Sequence, residues 1–169
     1  EICFIPDNDY SRYLQMKRPE LETQLQDGEI LDQQDNLLGV HRGYPFYTIG
    51  QRKGVGIATG QPVYVTEIDA GNNRIKVGSN HDLLHSGLIA ENVNWVSIES
   101  LKEGIGIEAK VRYNAPGAPA WIQPKSNGTV EVKFKEPQRA VTPGQSVVFY
   151  QGDLVVGGGI IESYVKHQG

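Results

Sequence analysis

The chain has 169 residues, enough for one ordinary domain or two small ones, and although 38% are hydrophobic no run nears the roughly 18 apolar residues a membrane helix needs. One cysteine, Cys3, rules out an internal disulfide and a cysteine-rich metal site, so the secreted-scaffold and zinc-ribbon classes are excluded and a soluble, cytoplasmic protein is expected. A net charge of −4 disfavours a uniformly basic nucleic-acid binder, but the charge is uneven: residues 1–36 hold nine acids against three bases, leaving the rest slightly basic.

The chain opens on Glu1-Ile2-Cys3-Phe4-Ile5-Pro6 with no initiator methionine or leader and reads as cut from a longer protein. Asp9 is a capping residue, and Tyr10, Tyr13 and Leu14 recur at helical spacing, which predicts one short helix ending by Arg18-Pro19. Two short apolar runs, around Ile30 and around Leu38, flank the polar Gln33-Gln34-Asp35-Asn36 and predict a hairpin. The segment from His41 to Ile57 mixes aromatics, bases and four glycines without clear periodicity. Pro62 to Thr66 and Arg74 to Val77 then bracket the turn-forming Asp69 to Asn73, a second hairpin. His81 to Ser86 reads as a polar connector.

Beyond it come six runs rich in Val, Ile and aromatics: Leu88 to Trp95, Ile105 to Tyr113, Ala120 to Pro124, Thr129 to Phe134, Ser146 to Tyr150 and Leu154 to Tyr164. Short strands at this spacing predict a barrel or sandwich. Asn127-Gly128 is a hairpin signal in which both residues favour positive φ. Gly157-Gly158-Gly159 interrupts the last run and predicts a bulge or a close backbone approach. The fold expected is mainly β: a small mixed α+β central domain over 1–82, with the Cys3 segment at 1–6, followed by a six-stranded antiparallel β-barrel over 87–169.

Candidate chemistry is sparse. Cys3 between Ile2 and Phe4 suits a small buried hydrophobe as well as a nucleophile, since reactivity depends on access to the thiolate. Asp7 and Asp9 lie near it, where capping accounts for at least one of them. His81 and His85 stand four apart, but no HExxH glutamate or third ligand accompanies them, so no metal site is expected. Gly50-Gln51-Arg52-Lys53-Gly54-Val55 fits neither a Walker loop nor a dinucleotide fingerprint, so no nucleotide cofactor is expected in this chain. Backbone N–H groups beside Arg52 and Lys53 could instead hold a phosphodiester backbone, as a plain structural turn would also explain. Leu37 to Thr66 and Ala109 to Val130 contain no acid and are candidate phosphate-facing surfaces.

Several stretches together resemble the tRNA-specific 2-thiouridylase family. They are Glu1 to Ile5, His41-Arg42-Gly43, Phe46 to Ile57, Val111-Arg112-Tyr113, Glu136 to Gln145, Val148-Phe149-Tyr150 and Gly157 to Glu162. The resemblance implies an enzyme of three parts: an ATP-using PP-loop domain, a small central domain and a carboxy-terminal barrel, of which the last two are here. By that resemblance Cys3 is the persulfide-carrying catalytic cysteine, and Arg112, Tyr113 and Gln145 contact tRNA; Arg52 and Lys53 are added from the residues alone. It further implies ATP with magnesium for the whole enzyme. The implied partners are tRNAs with Lys, Glu and Gln anticodons, a sulfur-relay protein or cysteine desulfurase, and the PP-loop domain, with no membrane; the fragment alone would be inactive. Two competing readings are a non-catalytic RNA-binding barrel of translation-factor type, with Cys3 merely structural, and a protein-interaction barrel.

Overall fold

A computed structural model describes residues 10–58, 60–113 and 115–167. The chain divides into two compact units, Glu1–His81 and Asp82–Gly169. Among the described residues no helix is long and apolar enough to cross a membrane.

In the first unit, helix α1 spans Tyr10–Lys17 and buries no residue fully. Its end is closed by the Arg18 N–H donating to the Leu14 carbonyl at 2.7 Å. Pro19 stops α1 and, with φ already at −59°, starts a second helix, α2, over Glu20–Gln24. The sequence reading ended its helix at Arg18-Pro19 and missed α2, because five residues carry no legible apolar period. Strands β1 (Gly28–Leu31) and β2 (Leu37–His41) form the first predicted hairpin. Its turn is tied by the Asp32 carboxylate, which accepts from the N–H groups of Gln34 and Asn36 at 2.8 and 2.9 Å. Strands β3 (Tyr64–Asp69) and β4 (Arg74–Gly78) form the second hairpin, and Asp69 ties its turn to Asn72 in the same way.

The two hairpins join through a parallel pairing of β1 with β4, which gives the sheet order β2-β1-β4-β3. That join is non-local and no periodicity announced it. The core is Ile30, Val55, Val65, Ile75 and Val77, with Tyr44, Tyr47, Ile49 and Ile57 packed against it. The aperiodic His41 to Ile57 segment is therefore a cover for one sheet face, wound through a 3-10 turn at Tyr44–Phe46.

The second unit is a closed antiparallel barrel of six strands in the order β10-β5-β8-β7-β6-β9. They are β5 (Leu84–Trp95), β6 (Ile105–Lys110), β7 (Ala118–Pro124), β8 (Val130–Arg139), β9 (Ser146–Gln151) and β10 (Leu154–Lys166). Closure leaves no unpaired edge. Strict alternation puts Ala118, Ala120 and Ile122 of β7 inside and Pro119 and Trp121 outside. Small interior alanines sit among larger residues such as Leu88, Val132 and Phe149, which lets side chains fill a narrow barrel.

The triple glycine does both things expected of it. A Cβ on Gly158 would lie 2.7 Å from the Val147 carbonyl oxygen, and one on Gly159 would lie 2.6 Å from that of Glu91. The ladders on both sides also slip register there, between Val155 and Gly157 toward β9 and between Gly158 and Ile160 toward β5. The Asn127-Gly128 turn is a correction. Only Gly128 has positive φ, at 82°, and its N–H donates to the Lys125 carbonyl at 3.1 Å. Asn127 instead turns its side chain onto Thr129, accepting from its N–H at 3.2 Å and from its hydroxyl at 2.7 Å. The hairpin is a four-residue turn followed by a glycine bulge rather than a two-residue primed turn. Strand β5 starts at Leu84, directly after a 3-10 turn at His81–Leu83, so much of the segment read as connector belongs to the barrel.

Candidate functional site

One end of the barrel collects the close of β6, β8 and β10, the start of β5, β7 and β9, and the loops between them. Lys110 closes β6, and Val111, Arg112 and Tyr113 leave the ladder to begin the loop to β7. Expecting a strand through Tyr113 overran it by three residues. The loop folds back on β6: a Cβ on Gly117 would lie 3.0 Å from a Glu108 carboxylate oxygen.

The Arg112 guanidinium donates from Nη2 to the Ala140 carbonyl at 2.9 Å. The Thr142 hydroxyl donates to the same carbonyl at 3.1 Å. Ala140 is held by its own N–H, which donates to the Leu83 carbonyl at 2.7 Å, and its φ of 51° is left-handed although it carries a Cβ. A non-glycine residue there costs about 1 kcal/mol or more and persists only where its surroundings fix it. Here they do, since the conformation aims the carbonyl at Arg112. Burial, and next the positive charge of Arg139, pull the Arg112 pKa below its ordinary value.

Thr142-Pro143-Gly144-Gln145 forms a turn in which the Gln145 N–H donates to the Thr142 carbonyl at 3.2 Å and Gly144 takes φ 82°. Proline then glycine with positive φ is the pattern of a type II turn. The Gly144 N–H and the Gln145 carbonyl both pair with the Ile161 backbone, at 2.8 Å each, so Gln145 sits exposed on a turn fixed at its base. Arg112 and the Gln145 turn are thus joined through Ala140 and Thr142. Tyr113 follows Arg112, 89% exposed, with the Lys110 ammonium 5.8 Å from its ring centroid. An aromatic ring this open, beside bases, offers a stacking face.

Two residues at this end were not singled out from the sequence, and a third, His85, was weighed only as a metal ligand beside His81. Arg139 and Ala140 lie inside the quoted Glu136 to Gln145 stretch, but nothing local shows that they meet Arg112 across the β6–β7 loop. His85 is 1% exposed, pairs in register with Gln138 and Lys166, and packs its ring 4.1 Å from that of Tyr164. Burial first, then the positive charge of Lys166, lower its pKa to about 4 against a hydrogen bond to the Gln138 backbone that raises it. Its Nδ1 is one of two buried side-chain polar atoms among the described residues with no hydrogen-bond partner. The other is Nε2 of His41.

In the first unit, Arg52 and Lys53 are both exposed. Gln51 organises their loop: its side-chain oxygen accepts from the Thr48 N–H at 3.1 Å and its side-chain nitrogen donates to the Lys53 carbonyl at 3.0 Å. The N–H groups of Gly50 and Gln51 donate to Val65 and Thr48. Those two backbone donors are spent within the fold, and the exposed Arg52 and Lys53 side chains are the charged groups of this loop. Arg52 borders an open groove of about 420 Å³ with Val55, Ile57 and Val63. Cys3, Asp7 and Asp9 lie outside the described residues. Among the described residues no three His, Cys, Asp or Glu side chains gather as a metal site.

Residues 19–79 match the family described as tRNA methyl transferase PRC-barrel domain, and residues 85–161 match that described as Aminomethyltransferase beta-barrel domain. Relatives named tRNA-specific 2-thiouridylase MnmA cover nearly the whole chain. That from Natranaerobius thermophilus is 52% identical over 95% of this chain and 43% of its own length. Those from Chlorobaculum tepidum and Clostridium botulinum are 51% and 49% identical over 95% and 96% of this chain, and over 44% and 45% of their own lengths. The chain therefore spans less than half the length of these relatives. The domain descriptions speak of methyl transfer and the relatives of thiouridylation; the relatives match both units in one continuous alignment and decide the name. The chain belongs to the tRNA-specific 2-thiouridylase family.

Proposed function

We propose that this chain is the sulfur-carrying and tRNA-holding portion of a tRNA-uridine 2-sulfurtransferase acting on C2 of the wobble uridine 34. The observation that carries the reading is identity of about half over 95% of the chain to proteins named tRNA-specific 2-thiouridylase. The basic barrel end supports it, because Arg112, exposed Tyr113 and exposed Gln145 present a charge, a stacking face and an amide without requiring one base sequence. Arg52 and Lys53 add a second basic surface on the first unit. The non-catalytic RNA-binding alternative accounts for the barrel and leaves the first unit's likeness to the same relatives unexplained.

In this reading Cys3 receives a persulfide from a sulfur-relay protein or cysteine desulfurase. The C2 oxygen of uridine leaves with AMP, having been adenylated in a PP-loop domain that these 169 residues do not include. The terminal sulfur of the Cys3 persulfide forms the bond to C2 as that oxygen departs. A second cysteine elsewhere in the protein then attacks Cys3 Sγ as a thiolate; the S–S bond to the sulfur on C2 breaks, its electron pair stays with that sulfur as the thiocarbonyl, and the two cysteines are left as a disulfide.

Deleting the gene should remove 2-thiouridine derivatives from tRNAs for Lys, Glu and Gln, read by mass spectrometry of tRNA nucleosides, and supplying the gene should restore them. Undiminished 2-thiouridine in the deletion strain refutes the reading, unless a second copy of the gene is found there.

A further inference from the structure

We infer that Trp121, with Lys133 beside it, forms a subsite on the outer wall of the barrel for one nucleotide of the bound RNA, the base stacking on the indole and the phosphate meeting the lysine. This deepens the proposed reading and rests on it. Trp121 stands at an outward position of β7 and is 51% exposed. Two glycines seat it: Gly106 pairs with it in register across the β6–β7 ladder, and Gly104 stands two residues earlier. A Cβ on Gly104 would lie 2.5 Å from Trp121 Nε1 and 2.9 and 3.0 Å from Cε2 and Cζ2, and one on Gly106 would lie 3.9 and 4.0 Å from Cε3 and Cζ3. The indole therefore rests across the β6 backbone by atoms on its opposite edges, which fixes its plane against the wall and leaves the other face outward. An aromatic face held in place this way loses little freedom when a base stacks on it.

The charge beside the ring says what lies on it. On the side away from the glycines, Lys133 of β8 pairs with Trp121 in register, which sets the two Cβ atoms about 5 Å apart on the same outer face. Its ammonium lies 3.6 Å from a Glu131 carboxylate oxygen that the Lys125 ammonium also approaches, at 3.8 Å, so two cations share one carboxylate and positive charge is left over. Exposed Lys135 continues the outward row of β8 two residues on. The acids Glu103 and Glu108 flank the two glycines, so the phosphate belongs on the β8 side of the ring. An apolar protein surface laid on Trp121 would desolvate the lysines at a cost, whereas a nucleotide uses ring and charge together. Trp121 lies three residues along β7 from Ala118, about 10 Å from the barrel end that carries Arg112 and Tyr113.

The test measures tRNA affinity of the full-length protein by fluorescence anisotropy across a salt series, for Trp121→Leu, Trp121→Phe, Lys133→Ala and Arg112→Ala, with thermal unfolding as the folding control. Trp121→Leu still covers the glycines but should bind about tenfold more weakly, with the slope of log affinity against log salt unchanged, because stacking releases no counterions. Trp121→Phe keeps an aromatic face and should keep most of the affinity. Lys133→Ala should lower the slope by about one. Parent affinity in a folded Trp121→Leu protein, with Arg112→Ala weakened, overturns the subsite while the tRNA-holding reading stands, and gives the Trp121 face to a protein surface instead. If Arg112→Ala also binds as the parent does, both fail. An equal loss in Trp121→Phe and Trp121→Leu would assign the ring a structural role and overturn the stacking, and a parent slope in Lys133→Ala overturns the phosphate half. Should Trp121→Leu fail to fold, the tryptophan emission that Trp121→Phe removes decides: tRNA should quench it in the parent, and unquenched emission overturns the subsite.

Discussion

His85 shows how a single buried side chain links the barrel's packing to pH. It is 1% exposed, lies against Tyr164 and Lys166, and has its pKa lowered to about 4. In the unfolded chain it would titrate near 6.5, so below that pH the unfolded state binds the extra proton and the folded state does not. A depressed folded pKa therefore contributes stability that is complete above about pH 6.5 and is lost as pH falls toward 4, a loss of about 3 kcal/mol if this group acts alone. Chemical denaturation of the protein at pH 7, 5.5 and 4 should show this decline, and His85→Gln should flatten it over that window. An equally steep decline in a folded His85→Gln protein would place the pH dependence elsewhere. Nothing in the sequence announced this: a histidine between Leu84 and Ser86 reads as connector, and only closure of β5 against β8 and β10 buries it.

The elements divide by how local their causes are. Both hairpins of the first unit and all six barrel strands were legible as apolar runs between turn residues, because each depends on neighbours a few positions away. The parallel β1–β4 join, helix α2 and the meeting of Arg112, Leu83 and Thr142 at Ala140 were not, because they depend on residues far along the chain or on a segment too short for a period. The triple glycine sits between these cases: its need for close approach was readable, and the strands it approaches were not. Gly158→Ala should cost about 2 kcal/mol or more, since its Cβ would meet the Val147 backbone, which cannot swing aside. Gly39→Ala, where a Cβ meets nothing within 4 Å, should change stability by less than about 0.5 kcal/mol. Urea unfolding of the two variants checks the contrast. A Gly158→Ala protein as stable as the parent would contradict the close approach on β10.

At the scale of the molecule, the two units match two different domain families and yet align together with one set of relatives. The barrel class and the family were legible in the sequence because long motifs are specific where single glycines are not. The candidate RNA surface was legible in part: Arg112, Tyr113 and Gln145 came from resemblance and Arg52 and Lys53 from charge, whereas the carbonyl of Ala140 that anchors Arg112 emerged only from the fold. The catalytic proposal rests on a residue outside the described part of the chain, so chemistry must test it. The direct measurement is paired, on the full-length protein with Cys3→Ser: tRNA affinity, and 2-thiouridine formed on tRNA with ATP and a persulfide donor. The account predicts near-unchanged tRNA binding with no 2-thiouridine formed. Thiolation at the parent rate by the Cys3→Ser protein would contradict it.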